Sequence, residues 1–266
     1  MKKKIIKPIE QPSYLKPTSS LFLSQTFWRL LRKIIGKNLW TFFYKLSQKV
    51  KIKKKLFQLT NENMDLKNNL NYPNPLKNNV EIKKFSFYLD RHKSSRSIGN
   101  YRDYLDNKFN LIRDNVTTIL EIGISYGAGI LALKDYFNNS FLWGVDIDRS
   151  TFLQEQRIVK CEWVDQLKID TLKEAAVKFN VKFDLIIDDG WHHPEAQINS
   201  LIAYLPYLNY KGTYIVEDIV HKDYYNHFQK VKTILEKKDF MVEYEKFTPL
   251  DRVDITGCLL IQRKAQ

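Results

Sequence analysis

Cysteine is almost missing from this chain. Cys161 and Cys258 are the only two in 266 residues, so no disulfide framework is available, and a reducing, cytosolic setting is the simplest expectation. Neither sits in a CxxC pair or in Cys/His zinc spacing, which excludes a zinc-finger reading. Long hydrophobic runs are missing too. Arg29, Arg32, Lys33 and Lys37 interrupt the most apolar stretch, leaving no run of about 18 apolar residues of the kind a spanning helix requires. The opening MKKKIIKPIEQPSYLKP is basic but lacks a charge-free apolar core and a small-residue cleavage site, so no signal peptide is expected.

Acidic residues are scarce at one end only. Residues 1–80 hold 17 Lys+Arg against 3 Asp+Glu, a net +14, while residues 81–266 hold 26 against 27, a net −1. The formal charge of +13 therefore belongs to the N-terminal segment, and a broad basic face for nucleic acid is not expected on the remainder. Within that segment Phe27, Leu31, Ile34, Ile35, Leu39, Phe42, Phe43 and Leu46 recur at spacings of three and four, with basic residues toward another side. This is a basic amphipathic helix with Gly36 as a candidate kink. Together with KVKIKKK at 49–55, residues 21–55 suit peripheral contact with an anionic membrane surface. Packing on the main domain or against a second subunit, in a homo-oligomer, fits the same pattern. The Asn- and Pro-rich stretch 61–80 has linker composition, so two parts are expected: an extension over 1–80 and a folded domain over 81–266.

The domain is organised around residues 118–148, TILEIGISYGAGILALKDYFNNSFLWGVDID. An apolar run, a glycine-rich turn, a helical segment and a second apolar run ending at Asp146 make one strand-turn-helix-strand unit. Glycines at 123, 127 and 129 let backbone approach a ligand, and an acidic residue at the end of the second strand suits ribose hydroxyls. The expected ligand is a nucleoside. Strand and helix patterns then alternate: CEWVD (161–165), a helix over 171–179, FDLIIDDG (183–190), a helix from Pro194, GTYIVED (212–218) and a helix near 224–237. Two closing runs, MVEYEKF and DITGCLLIQ, suit an antiparallel pair. The expected fold is α/β, a doubly wound, mostly parallel sheet whose ligands bind beyond the carboxyl ends of the strands.

Two of those ends are rich in carboxylates: Asp188-Asp189-Gly190-Trp191-His192-His193 and Glu217-Asp218. Carboxylates converging on one crevice repel unless a positive charge sits between them. Oxygen ligands without cysteine favour Mg²⁺, with Ca²⁺ and Mn²⁺ as alternatives, and His192 beside such an ion suits a general base. Taken singly, each carboxylate also fits a helix cap or a turn.

Glu121 followed by G-I-S-Y-G-A-G resembles the E/D-x-G-x-G-x-G motif of class I S-adenosylmethionine (SAM) methyltransferases, with Ser125 at the middle glycine. The resemblance implies a seven-stranded Rossmann-like sheet, with SAM held by Glu121, Gly123, Ser125, Gly127 and Asp146. It also implies Asp165 or Gln166 at the adenine, a solvent-exposed turn being the other reading of that pair. IIDDGWHH followed by YIVEDI is similar to the I-D-D-G-S-H and Y-x-I-E-D pair of the metal-dependent sugar O-methyltransferases that act on mycinamicin and macrocin, and of related polysaccharide-type enzymes. That likeness, over roughly residues 85–220, implies Mg²⁺ on Asp189, Glu217 and Asp218, His192 as base, and a sugar or glycan acceptor. Trp191 departs from the serine of the pattern. Tyr101 and Tyr104 loosely match a Y-x-x-Y lead-in of some sugar methyltransferases, with core packing as the alternative. Two other functions share these features: a catechol-type O-methyltransferase, and a non-catalytic membrane or complex scaffold that keeps the fold.

Overall fold

The computed structural model describes residues 25–65, 83–94, 99–152, 157–219, 222–247 and 257–265. Residues 1–24 of the basic extension and 66–80 of the expected linker lie outside the described residues. The chain forms two compact units, Met1–Lys49 and Val50–Gln266. The described part of the first is helical and belongs to α1 (Gln25–Asn61), which runs on past Gly36. Among the described residues no helix is long and apolar enough to cross a membrane.

The second unit starts earlier than composition implied. Ile52, Leu56 and Leu59 of α1, and Met64 just beyond it, are buried in the core under the sheet. Lys51, Lys53, Lys54 and Lys55 give this stretch the look of a solvated charge run. Helical spacing nevertheless gathers Ile52, Leu56 and Leu59 on one face.

Seven strands form one sheet: β1 (Thr118–Ile122), β2 (Phe141–Asp146), β3 (Ile158–Trp163), β4 (Phe183–Asp188), β5 (Leu208–Val216), β6 (Phe240–Glu245) and β7 (Cys258–Arg263), in the order β3-β2-β1-β4-β5-β7-β6. β1 to β5 run parallel, and β7 is antiparallel to both β5 and β6. The helices are α2 (Phe85–Arg91), α3 (Gly99–Ile112), α4 (Ala128–Tyr136), α5 (Ile169–Phe179), α6 (Pro194–Tyr204) and α7 (Lys222–Glu236). This is the doubly wound, mostly parallel sheet that the alternation implied. β3 begins before Cys161 because it is an edge strand. Val159 and Lys160 are exposed there, so the hydrophobic signal fails over its first half.

Neighbouring residues of the inner strands feed separate cores. Leu120, Ile186, Tyr214 and Val216 pack with α5, α6, α7 and the end of α1. Ile119, Leu185, Ile187 and Ile215 pack with α2, α3 and α4. Both faces are covered, which is why these strands read as continuous apolar runs and not as alternating ones. α6 starts where the sequence directs it: Pro194 occupies the first turn, and the His193 side chain accepts from the backbone N–H of Glu195.

Strand register is fixed at the end of the sheet where the parallel strands begin. Asp184 Oδ2 accepts from the Thr117 N–H (2.8 Å), the Thr117 hydroxyl (2.8 Å) and the Thr118 N–H (3.1 Å), while Oδ1 accepts from Asn209 Nδ2 at 2.6 Å. One half-buried carboxylate thus ties β1, β4 and the start of β5 together. Hydrogen bonds to a charged group are worth about 1.5–3 kcal/mol each when lost singly. Asp184→Ala should therefore lower stability by at least about 2 kcal/mol, read as a shift in the urea midpoint with unchanged m-value, and should leave ligand affinity per folded molecule unaltered.

Candidate active site at the strand ends

The sheet order reverses between β1 and β4, and the loops around that point are rooted by continued backbone pairing. Val164 N–H donates to Asp146 O, Gly123 N–H to Val145 O, Asp189 N–H to Ile122 O and Glu217 N–H to Asp188 O, at 2.8–2.9 Å. Four loops leave the sheet from a common hydrogen-bonded edge. Their first residues are as fixed as the strands.

The turn after β1 is held by its neighbours. Gly123 has φ +86°, and a Cβ built there would lie 2.4 Å from the carbonyl oxygen of Asp189 and 2.5 Å from Cα of Gly190. Only glycine satisfies both the torsion and the approach. Asp146, at the end of β2, accepts from Ser125 N–H on Oδ2 and from Asp148 N–H on Oδ1, both at 2.8 Å. These bonds orient its carboxylate beside the turn and leave lone pairs for further donors. Ser125 is exposed with φ +49°, Gly127 caps α4 in the left-handed region, and Glu121 is buried within β1.

Asp165 and Gln166, the two candidates for adenine, are placed differently from each other. Asp165 accepts from Leu167 N–H and pairs with Lys168 at 3.3 Å, in a turn ahead of α5. Gln166 turns inward. Its Nε2 donates to Asp188 Oδ1 (3.0 Å) and to the Ser200 hydroxyl (2.9 Å), and its Oε1 accepts from the Trp191 N–H at 2.6 Å. A side chain at Gly190 would collide with this amide at 2.2 Å. Tyr101 and Tyr104 pack around Phe247, with ring centroids 5.0 and 5.3 Å away. Burial pushes the Tyr104 phenol far up.

Asp189, His192 and Asp218 come together, each half-buried, with one potential ligand atom from each lying within 4.8 Å of the others. His192 Nε2 is 3.9 Å from Asp189 Oδ1 and 3.5 Å from Asp218 Oδ2. Asp218 has φ +48°, a left-handed backbone that Asp tolerates better than most residues and that often occurs at functional sites. The two carboxylates are oxygen donors suited to Mg²⁺ or Mn²⁺, with the imidazole at their side. Glu217 stands outside this group. It is 1% exposed, and its carbonyl accepts from Gln197 Nε2 at 2.8 Å.

Beneath this group lies Asp188, to which the sequence pattern assigns no role of its own. Asp188 is completely buried, and desolvation pushes its carboxyl up to about 7 despite the bonds from Gly190 N–H and Gln166. Tyr204 and Tyr214 lie close by, their phenols pushed up by burial and by the Asp188 charge. The tandem Asp188-Asp189 was the available signal, since successive strand residues face opposite ways and only one of the two can reach the crevice.

No protein-family model matches the chain. In sequence it is similar to the demethylmacrocin O-methyltransferase of Streptomyces fradiae, 32% identical over 126 residues, covering 45% of this chain and 31% of that enzyme. It is also similar to the mycinamicin VI 2''-O-methyltransferase of Micromonospora griseorubida, 29% identical over 142 residues, covering 51% and 31%. The matched stretch is thus about a third of each curated relative's length. Among solved structures, the mycinamycin-pathway methyltransferase MycE in complex with Mg, SAH and mycinamycin VI superposes with a TM-score of 0.57 at 18% identity, covering 69% of this chain and 55% of that one. The chain has the class I methyltransferase fold. The turn after β1 and the ends of β2, β4 and β5 lie on one side of this sheet, and Gly123, Asp146, Asp189, His192 and Asp218 stand at those ends.

The buried Asp188 gives this methyltransferase fold a pH signature. The folded carboxyl titrates near 7 and the unfolded one near 3.8, so between those values the unfolded chain binds fewer protons and stability falls as pH rises, by up to about 1.4 kcal/mol per unit. Asp188→Asn keeps the acceptor for Gln166 and should remove this component. Denaturation in EDTA at pH 5 and pH 8 should show a smaller loss on alkalinisation for Asp188→Asn than for wild type.

Proposed function

We propose that the protein is a SAM-dependent O-methyltransferase acting, with a divalent cation, on a sugar hydroxyl of a glycan or glycosylated metabolite. The observation that carries this reading is the Asp189, His192 and Asp218 group standing one loop away from the glycine turn of a class I methyltransferase fold. The named activities of the sequence relatives support a sugar acceptor, and the Mg and SAH in the MycE structures support the cofactor and the ion.

The glycine turn and Asp146 would hold SAM, which supplies an activated methyl group. Asp189 and Asp218 would hold the cation, with Glu217 reinforcing the second strand end from within. A cation bound there would lower the pKa of an acceptor hydroxyl. His192 Nε2 faces both carboxylates and would take the hydroxyl proton, the two negative groups stabilising the imidazolium that results. Gln166 and Gly190 would keep the β4 loop against the glycine turn, so that acceptor and methyl donor meet in one orientation. Because the donor is already activated, positioning contributes much of the acceleration.

Calorimetric titration with SAM, in Mg²⁺ and in EDTA, tests the foundation, and binding is expected in both. His192→Ala should then lower kcat by roughly 10²- to 10⁴-fold while the SAM dissociation constant stays within about twofold. Parallel loss of both would remove His192 from the role of base.

We further propose that the basic N-terminal helix rests on an anionic membrane surface, where a lipid-linked acceptor would be presented. Phe42 and Leu46, four residues apart on α1, are 59% and 46% exposed, close to Lys45 and Lys49. Apolar side chains bordered by lysines suit a helix lying in the headgroup layer. Full-length protein should float with phosphatidylglycerol-containing liposomes, and Phe42→Glu with Leu46→Glu should leave it in the soluble fraction. Equal distribution of both proteins would remove the membrane reading and leave the methyl-transfer reading untouched.

A further inference from the structure

Trp191 is a large apolar side chain 45% exposed at the mouth of the site, and the chain fixes it from several directions. Its N–H donates to Gln166 Oε1 at 2.6 Å, and its carbonyl accepts from His193 N–H at 2.7 Å. Its indole lies against the His193 imidazole, with ring centroids 5.3 Å apart and planes 26° from parallel. His193 is itself wedged. The Tyr224 ring packs nearly at right angles to it, with centroids 5.8 Å apart, and His193 Nδ1 accepts from Glu195 N–H at the start of α6. One face of the indole is therefore backed by a rigid ring, immediately before His192 in sequence. Such an arrangement is costly for an unused surface group, because exposed indole gains little from burial and the loop loses freedom in holding it.

We propose that Trp191 is the platform on which the acceptor pyranose stacks, its C–H face against the indole, and that Trp191 with its His193 and Tyr224 backing determines which sugars are accepted. The proposal rests on the methyl-transfer reading above and names the substrate contact of that same site. The axial C–H bonds of a pyranose carry partial positive charge and meet the negative face of the aromatic ring. The hydroxyls at the ring edge remain free to turn toward Asp189, His192 and Asp218. A preorganised aromatic contact gives affinity at low entropic cost, and rigid aromatics backed on one side are frequent anchors in binding sites.

Saturation-transfer NMR on full-length protein with SAH and Mg²⁺ tests this, using methyl glycosides of glucose, galactose, mannose and rhamnose as probes. At least one should receive saturation, concentrated on the C–H protons of a single ring face. Trp191→Ser should reduce that transfer at least fivefold and Trp191→Phe less than twofold, with SAH affinity within twofold of wild type in both, a combination that general damage to the loop would not give. Undiminished transfer from Trp191→Ser to the pyranoside would overturn the proposal. So would the lack of transfer from wild type to any pyranoside, or displacement of the pyranoside by equimolar 1,2-dihydroxybenzene, which would indicate a flat aromatic acceptor. If wild type fails to bind SAH, the methyl-transfer reading falls and takes this proposal with it; if SAH binds and Trp191→Ser behaves as wild type, the platform alone is lost.

Discussion

Two backbones meet at the centre of this site closer than any side chain would permit. Gly123 on the turn after β1 lies against Asp189 and Gly190 on the loop after β4. The contact joins the part of the fold that suits a nucleoside cofactor to the part that gathers carboxylates. Gly190 repeats the constraint from the other side, where its missing side chain admits the Gln166 amide. Gln166 in turn bonds Asp188, Ser200 and Trp191. A displacement in any one of these elements would be passed to the others through contacts that have no slack, which is the arrangement expected where reacting groups must be held within fractions of an ångström.

Charge is layered along the same axis. Asp189 and Asp218 reach the crevice, half-exposed, where a cation or an imidazolium can offset them. Asp188 and Glu217 lie beneath, buried. Burying a carboxylate is expensive unless it is neutralised or surrounded by donors. Asp188 meets that demand by holding its proton up to about pH 7 while accepting from Gln166. Asp188 can therefore support the β4 loop without adding a full negative charge to the crevice at mildly acidic pH.

Most of the architecture was legible because it depends on local patterns. The continuous apolar runs of β1 and β4, Pro194 at the start of α6, and the glycines beyond β1 each carry a direct physical meaning. The grouping of Asp189 with Asp218 was legible at a coarser level, since strand ends collect on one side of a parallel sheet. What escaped was whatever depends on side-chain direction. Nothing in the order of residues shows that Gln166 points inward while Asp165 caps a turn, or that Glu217 is buried while Asp218 turns outward on a left-handed backbone. The start of the compact unit at Val50 was hidden differently: four lysines between 51 and 55 outweigh Ile52, Leu56 and Leu59 in any count of composition, although a helix separates the two sets onto different faces.

The residues at the end of α1 are also tied to β7. Asp65, just past α1, pairs with Arg263 of the last strand, 198 residues later. That arginine is buried and also donates to Leu208 O, while Glu62 takes Lys173 and its carbonyl takes Lys238. During synthesis at about 5–20 residues per second, roughly 10–40 s separate the emergence of the two partners. Through that interval the apolar stripe of α1 is outside the ribosome without the last strand that completes its surroundings. The order in which the ribosome delivers the chain thus leaves the apolar stripe of α1 waiting for β7 before its surroundings are complete.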